Sequence, residues 1–160
     1  GRVALIEAGT GTGKSLAYLY PGLLHARGAG GPLIVSTNTI NLQEQLLHKD
    51  LPLLAALCPG APPKTALLLG RGNYLCRRRL EYALRQGTLD LAEKVLHGLS
   101  RAVREGRGER NKLGLTVPEE TWQQLASDGE FCLRQRCSWS ESCFWLTARR
   151  AAAEIGRAHV

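Results

Sequence analysis

The sequence predicts an α/β protein, a doubly wound parallel sheet flanked by helices and carrying a mostly helical insertion. Three observations predict it. Apolar runs of strand type alternate with helical stretches over residues 1–70, a glycine-rich turn joins the first run to the first helix, and from residue 71 the pattern changes to basic, cysteine-bearing helical sequence. At 160 residues, 44% of them hydrophobic, the chain is long enough for one cored domain with a small insertion. No apolar run is long enough to span a membrane. The chain has no methionine and opens on Gly1-Arg2-Val3-Ala4 as if inside a strand, so it is expected to be an internal piece of a longer protein.

Arg2 to Glu7 reads as the first strand, and Ala8-Gly9-Thr10-Gly11-Thr12-Gly13-Lys14-Ser15 follows it directly, ahead of the helical Leu16 to Tyr20. Strand, glycine-rich loop and helix in that order match the P-loop pattern, with Ala8 where the first glycine usually stands. Glycines let successive backbone N–H groups turn inward on phosphate oxygens, and the helix N-terminus adds its positive end. Lys14 is then the phosphate-reaching cation and Ser15 a hydroxyl ligand for Mg²⁺. Pro21 is expected to kink or end this helix, and Gly28 to Pro32 reads as a loop. Leu33 to Thr37 is a second strand, Asn38 or Thr39 caps a helix through Leu47, and Thr65 to Leu69 is a third strand. Ser36, Thr37, Asn38 and Thr39 fall at the carboxyl edge of such a sheet, where ligands bind, and suit contacts to a phosphodiester backbone; capping alone explains at least one of them.

The formal charge of +7 is uneven: residues 71–110 carry ten Lys/Arg against five acids, while residues 111–160 balance six against six. A basic block of that kind suits a polyanion such as nucleic acid, or equally a solvated helical face. Within it, Gly70-Arg71-Gly72-Asn73-Tyr74-Leu75-Cys76-Arg77-Arg78-Arg79-Leu80 places a cysteine among four arginines, and Cys132, Cys137 and Cys143 follow far downstream as C-x4-C-x5-C.

Disulfides fit poorly beside a nucleotide site that implies a reducing compartment, and five cysteines is an odd count. Structural zinc commonly uses C-x2-C pairs, whereas these gaps are wide; an iron–sulfur cluster tolerates them, and neighbouring arginines favour its negative charge. The spacing fits a cluster better than zinc and leaves both open. Cys58 reads as core filler. Ala92, Val95, Leu96, Leu99, Ala102 and Val103 recur at helical spacing and read as core, with Gly106 to Arg110 breaking the helix. Trp122, Phe131, Trp139, Phe144 and Trp145 gather around the cysteines in sequence and are expected to shield them from water, leaving at most one ring as a base platform.

E-A-G-T-G-T-G-K-S, S-T-N-T-I-N-L-Q-E-Q-L, G-R-G-N-Y-L-C-R-R-R-L and the cysteine triplet together resemble, in that order, motifs of the iron–sulfur superfamily 2 DNA helicases, nearest the bacterial DinG type, relatives of the xeroderma pigmentosum D helicase. The resemblance implies a partial RecA-like domain over 1–70, an iron–sulfur cluster domain over 71–145, and a helix returning to the RecA-like domain over 146–160. It implies ATP and Mg²⁺ held by Ala8 to Ser15, with Lys14 and Ser15 catalytic, and a [4Fe-4S] cluster on Cys76, Cys132, Cys137 and Cys143. It further implies single-stranded DNA and DNA forks as partners, with Thr37, Asn38, Arg71, Arg77 and Arg78 as DNA contacts. The activity implied is ATP-driven 5′ to 3′ unwinding in DNA repair, by a cytoplasmic, nucleoid-associated bacterial protein whose oligomeric state is open, a monomer being the expectation. Glu154 to Val160 departs from the family: it is not strand-like and matches the translation of a sequencing-adapter read. No D-E-A-H box is present, so these residues alone are expected not to unwind DNA. Two rivals stand beside this reading, a non-helicase P-loop ATPase with a four-cysteine zinc module and a passive DNA-binding or redox module with a vestigial P-loop.

Overall fold

The computed structural model describes residues 3–29, 31–60, 62–87 and 93–155. The chain divides into two compact units, one of residues 1–67 with 153–160 and the other of residues 68–152.

In the first unit, α1 (Lys14–Ala29) leads to α2 (Ile40–Gln45), a π-helical turn (Leu46–Asp50) and α3 (Leu51–Leu57). Thr39 caps α2, its hydroxyl oxygen accepting from Leu42 N at 3.3 Å. Leu19 and Leu23 of α1 bury against Leu46, Leu54 and Cys58, with Val35 and Leu42 packed at the margin. Pro21 does not end α1, as its missing N–H had suggested: the helix runs through it to Ala29. Burial of Leu19 and Leu23 on either side outweighs one lost hydrogen bond.

The expected parallel sheet is not formed among the described residues, where the sole bridges are two isolated antiparallel ones. Residues 3–7, 33–35 and 65–69 are irregular, and Val3, Leu5 and Ile6 stand 99%, 101% and 85% exposed. The reason is physical. A helix satisfies its own backbone, but a parallel strand makes all its hydrogen bonds to neighbours, and an apolar run says nothing about whether a neighbour is at hand.

The second unit is helical. It holds α4 (Arg77–Gln86), α5 (Glu93–Arg104), α6 (Glu119–Leu125) and most of α7 (Phe144–Ile155). Leu75, Leu80, Ala83, Leu99, Ala102, Leu113, Val117, Trp122, Leu125 and Ala126 form one core, with Val95, Val103, Leu115 and Phe144 against it. Leu99 and Ala102 of the helical stripe in α5 are thus core and Val95 and Val103 pack against it, whereas Leu96 is half-buried outside it; Ala92, its first member, lies outside the described residues. Gly87 ends α4 in the left-handed region at φ 62°. Gly108 is required for another reason: a Cβ there would lie 2.0 Å from the Phe144 ring.

Candidate functional site: a four-cysteine cavity and a glycine-rich loop

The glycine-rich loop ends on the first residue of α1, so the helix N-terminus faces the turn. Gly11 and Gly13 adopt φ of 77° and 76°, a region costly for other residues. Lys14 Nζ donates to the carbonyls of Ala8, at 2.8 Å, and Gly9, and Thr12 Oγ1 donates to Gly9 O at 2.9 Å. Residues 8–14 are exposed and Ser15 is half-buried. Thr37 Oγ1 donates to Thr39 O at 3.1 Å, and Asn38 is exposed.

In the second unit the segment Tyr74–Cys76 is pinned from two sides. Leu75 N donates to Gly108 O and Cys76 N to Leu125 O, each at 2.8 Å, while Ser127 N donates to Tyr74 O at 2.7 Å. These bonds bring residues from two distant stretches to the start of α4. Arg78 Nη2 then donates to Phe131 O at 2.7 Å, tying the residue before Cys132 to α4. The Asp128 carboxylate accepts from Glu130 N and Phe131 N and shapes the same loop. Those two N–H groups hold its pKa below the usual carboxylate value, with Arg79 and Arg71 acting in the same direction.

The triplet segment is wound tightly. Arg134 N donates to Cys132 Sγ at 3.4 Å, with Arg134 itself at φ 51°, and Cys137 N returns to Arg134 O at 3.1 Å. A non-glycine residue in that region stores about 1–3 kcal/mol of strain. Cys143 immediately precedes α7 and its carbonyl accepts the first helical bond, from Thr147 N at 2.8 Å. Trp139 Nε1 donates to Glu81 Oε2 at 2.8 Å, anchoring the loop between Cys137 and Cys143 to α4.

The outcome is one cavity lined by Cys76, Cys132, Cys137 and Cys143, together with Arg77, Arg78, Arg79, Arg134, Phe131 and Trp139 among others. All four thiols are free. Burial pushes the Cys76 thiol up from its ordinary pKa; the backbone N–H groups of Arg79 and Arg78 and the Arg78 charge pull it down, and Cys143 pushes it up. Cys76 and Cys143 both sit at helix N-termini. Among the described residues no group of three or more His, Cys, Asp or Glu is arranged to hold a metal ion. The cavity lining suits a sulfide-bearing group in its chemistry: it offers four thiols, and Arg77, whose Nε is buried without any hydrogen-bond partner. An unpaired buried donor costs about 1–3 kcal/mol, and a sulfur acceptor would relieve it.

The arginines read as DNA contacts also have internal partners. Arg71 Nη1 donates to Asp128 O at 2.9 Å and its guanidinium stacks 3.5 Å over Trp145; Arg77 Nη2 donates to Val103 O at 3.4 Å; Arg78 holds Phe131 O. Net charge revealed the block, but not which carbonyls folding would bring to it. The aromatics also divide: Phe131 and Trp139 line the cavity, Trp122 lies in the core donating to Gly72 O at 2.8 Å, and Phe131 is 62% exposed. Sequence reasoning missed Glu81 and Asp128. Asp128-Gly129 carried a turn signal, whereas nothing marked Glu81.

No family model matches the chain. Among curated proteins it is similar to an ATP-dependent helicase DinG of Mycobacterium tuberculosis, 36% identical across 95% of this chain and 26% of that protein. An ATP-dependent DNA helicase YoaA of Haemophilus influenzae is 37% identical over 92% of this chain and 23% of its own length. An ATP-dependent DNA helicase DinG of Salmonella typhimurium is 32% identical over 96% of this chain and 24% of its own. The chain is homologous to a segment of the DinG-type helicases. It spans about a quarter of the length of these relatives.

Proposed function

We propose that this chain is the part of an ATP-dependent 5′ to 3′ DNA helicase that grips the nucleotide phosphates and carries a [4Fe-4S] cluster on Cys76, Cys132, Cys137 and Cys143. The observation that carries the reading is the convergence of four cysteines, distant in sequence, on one arginine-lined cavity. When bound, such a cluster ties four chain segments together and exchanges single electrons. Arg78 and Trp139 hold the cysteine-bearing loops to α4.

At the glycine-rich loop, Lys14 gives up its bonds to Ala8 O and Gly9 O for the phosphates of ATP, the loop N–H groups turn onto the same oxygens, and Ser15 supplies a hydroxyl to Mg²⁺. In the full-length protein the runs at 3–7, 33–37 and 65–69 pair with further strands into a RecA-like sheet, whose edge presents Thr37 and Asn38 to single-stranded DNA. Arg71, Arg77 and Arg78 are further DNA contacts in this reading, each of them also bonded to a carbonyl within the unit.

Iron and acid-labile sulfide analysis of anaerobically purified full-length protein tests the reading: about four of each per chain is expected. Zinc without sulfide would instead support the non-helicase P-loop ATPase. Unwinding of a forked duplex that survives Lys14→Ala would overturn the motor assignment.

A further inference from the structure

All three consecutive arginines that open α4 place a guanidinium donor on a carbonyl: Arg77 on Val103 at 3.4 Å, Arg78 on Phe131 at 2.7 Å, and Arg79 on Gln123 at 3.3 Å and Ala126 at 2.7 Å. Arg77 differs in what is left over. Its guanidinium lies over the Phe144 ring at 4.5 Å and the Trp139 ring at 5.8 Å. Its Nε is buried and has no partner, although the side chain lines the cavity that the four cysteines share. A guanidinium cannot escape the cost by losing a proton, and orphaned buried donors are rare in native structures.

We infer that Arg77 is a positioning residue for the cluster: its Nε–H donates to a sulfur of the cluster or of its cysteine ligands, and so stabilises the reduced, more negative form. The inference rests on the iron–sulfur reading above. Hydrogen bonds to sulfur are among the levers that set cluster potentials, and a donor binds the more negative state more strongly. Lysine keeps the charge but has no donor at that point on the side chain, so Arg77→Lys separates the hydrogen bond from simple electrostatics.

Full-length protein purified without oxygen is first assayed for iron and sulfide, which decides the cluster reading by itself. The midpoint reduction potential is then measured for wild type, Arg77→Lys and the control Arg101→Lys, at an exposed arginine of α5 that does not line the cavity. Arg77→Lys is expected to load with iron and titrate at a more negative potential than wild type, while Arg101→Lys stays close to wild type. An iron-loaded Arg77→Lys at the wild-type potential overturns the inference and leaves the cluster reading intact; iron-free wild type removes the reading itself. Should Arg77→Lys fail to load, wild-type protein carrying arginine labelled with nitrogen-15 at Nε is reduced and examined by pulsed electron paramagnetic resonance. A nitrogen-15 coupling to the cluster is expected there, and its absence overturns the inference.

Discussion

The two units of this chain treat their apolar residues in opposite ways. In the cysteine-bearing unit ten buried residues close one core, with Leu75, Leu99, Leu113 and Leu125 almost fully enclosed. In the nucleotide-loop unit five residues do so, and Val3, Leu5, Ile6 and Ile34 remain 85% exposed or more. Helices meet their backbone needs internally and ask only for a covered face, so the helical unit is closed by residues it already has. Strand-type runs ask for hydrogen-bonding neighbours first, and burial follows only when those arrive.

The largest way to break the comparison lies at the cavity. Cys143→Ser in the full-length protein should abolish iron binding, read by iron and sulfide content, whereas Cys58→Ser, in the core of the other unit, should leave both unchanged. Next is the loop: Lys14→Ala should lower ATP turnover about 100-fold or more, as expected for losing one preorganised charge at a transferring phosphoryl group. Because Lys14 is exposed, the thermal unfolding midpoint of this variant should match wild type.

Core substitutions sharpen the contrast between units. Leu99→Ala removes a fully buried side chain and should cost about 2–5 kcal/mol in denaturant unfolding. Leu5→Ala in the 160-residue chain should change stability by no more than about 0.5 kcal/mol, since Leu5 is fully exposed. In the full-length protein the same change should become destabilising, because a formed sheet would bury that residue. Gly108→Ala sets a methyl against the Phe144 ring and should cost about 1–3 kcal/mol.

The smallest effect is electrostatic. Asp128 has its folded pKa depressed, first by the N–H groups of Glu130 and Phe131. Its contribution is therefore complete above the ordinary carboxylate value, about 4, and fades as pH falls through the depressed one. Unfolding of the cysteine-bearing unit should lose stability in that acid range, and Asp128→Asn should flatten this part of the profile.

How far the sequence could be read differs by feature. The glycine-rich loop, the cap at Thr39, most of the core stripe of α5 and the C-x4-C-x5-C triplet were legible, because each is a matter of residue type at short spacing. The partners of Arg71, Arg77 and Arg78 were not, since each bonds a carbonyl well away in the chain. Continuation of α1 through Pro21 was misjudged for a related reason: the local penalty was visible, but the burial that outweighs it was not.

By itself the sequence determined which groups this protein has for its chemistry: a phosphate-type turn with its lysine, and five thiols of which four lie in basic surroundings. Only the tertiary structure decided that those four line one cavity, that Arg77 reaches it with an unpaired donor, and that the strand-type runs form no sheet within the described residues. The division follows from range. Turn geometry and helical periodicity are set by neighbours along the chain, whereas convergence of distant segments depends on which hydrogen bonds and buried surfaces the whole fold brings together.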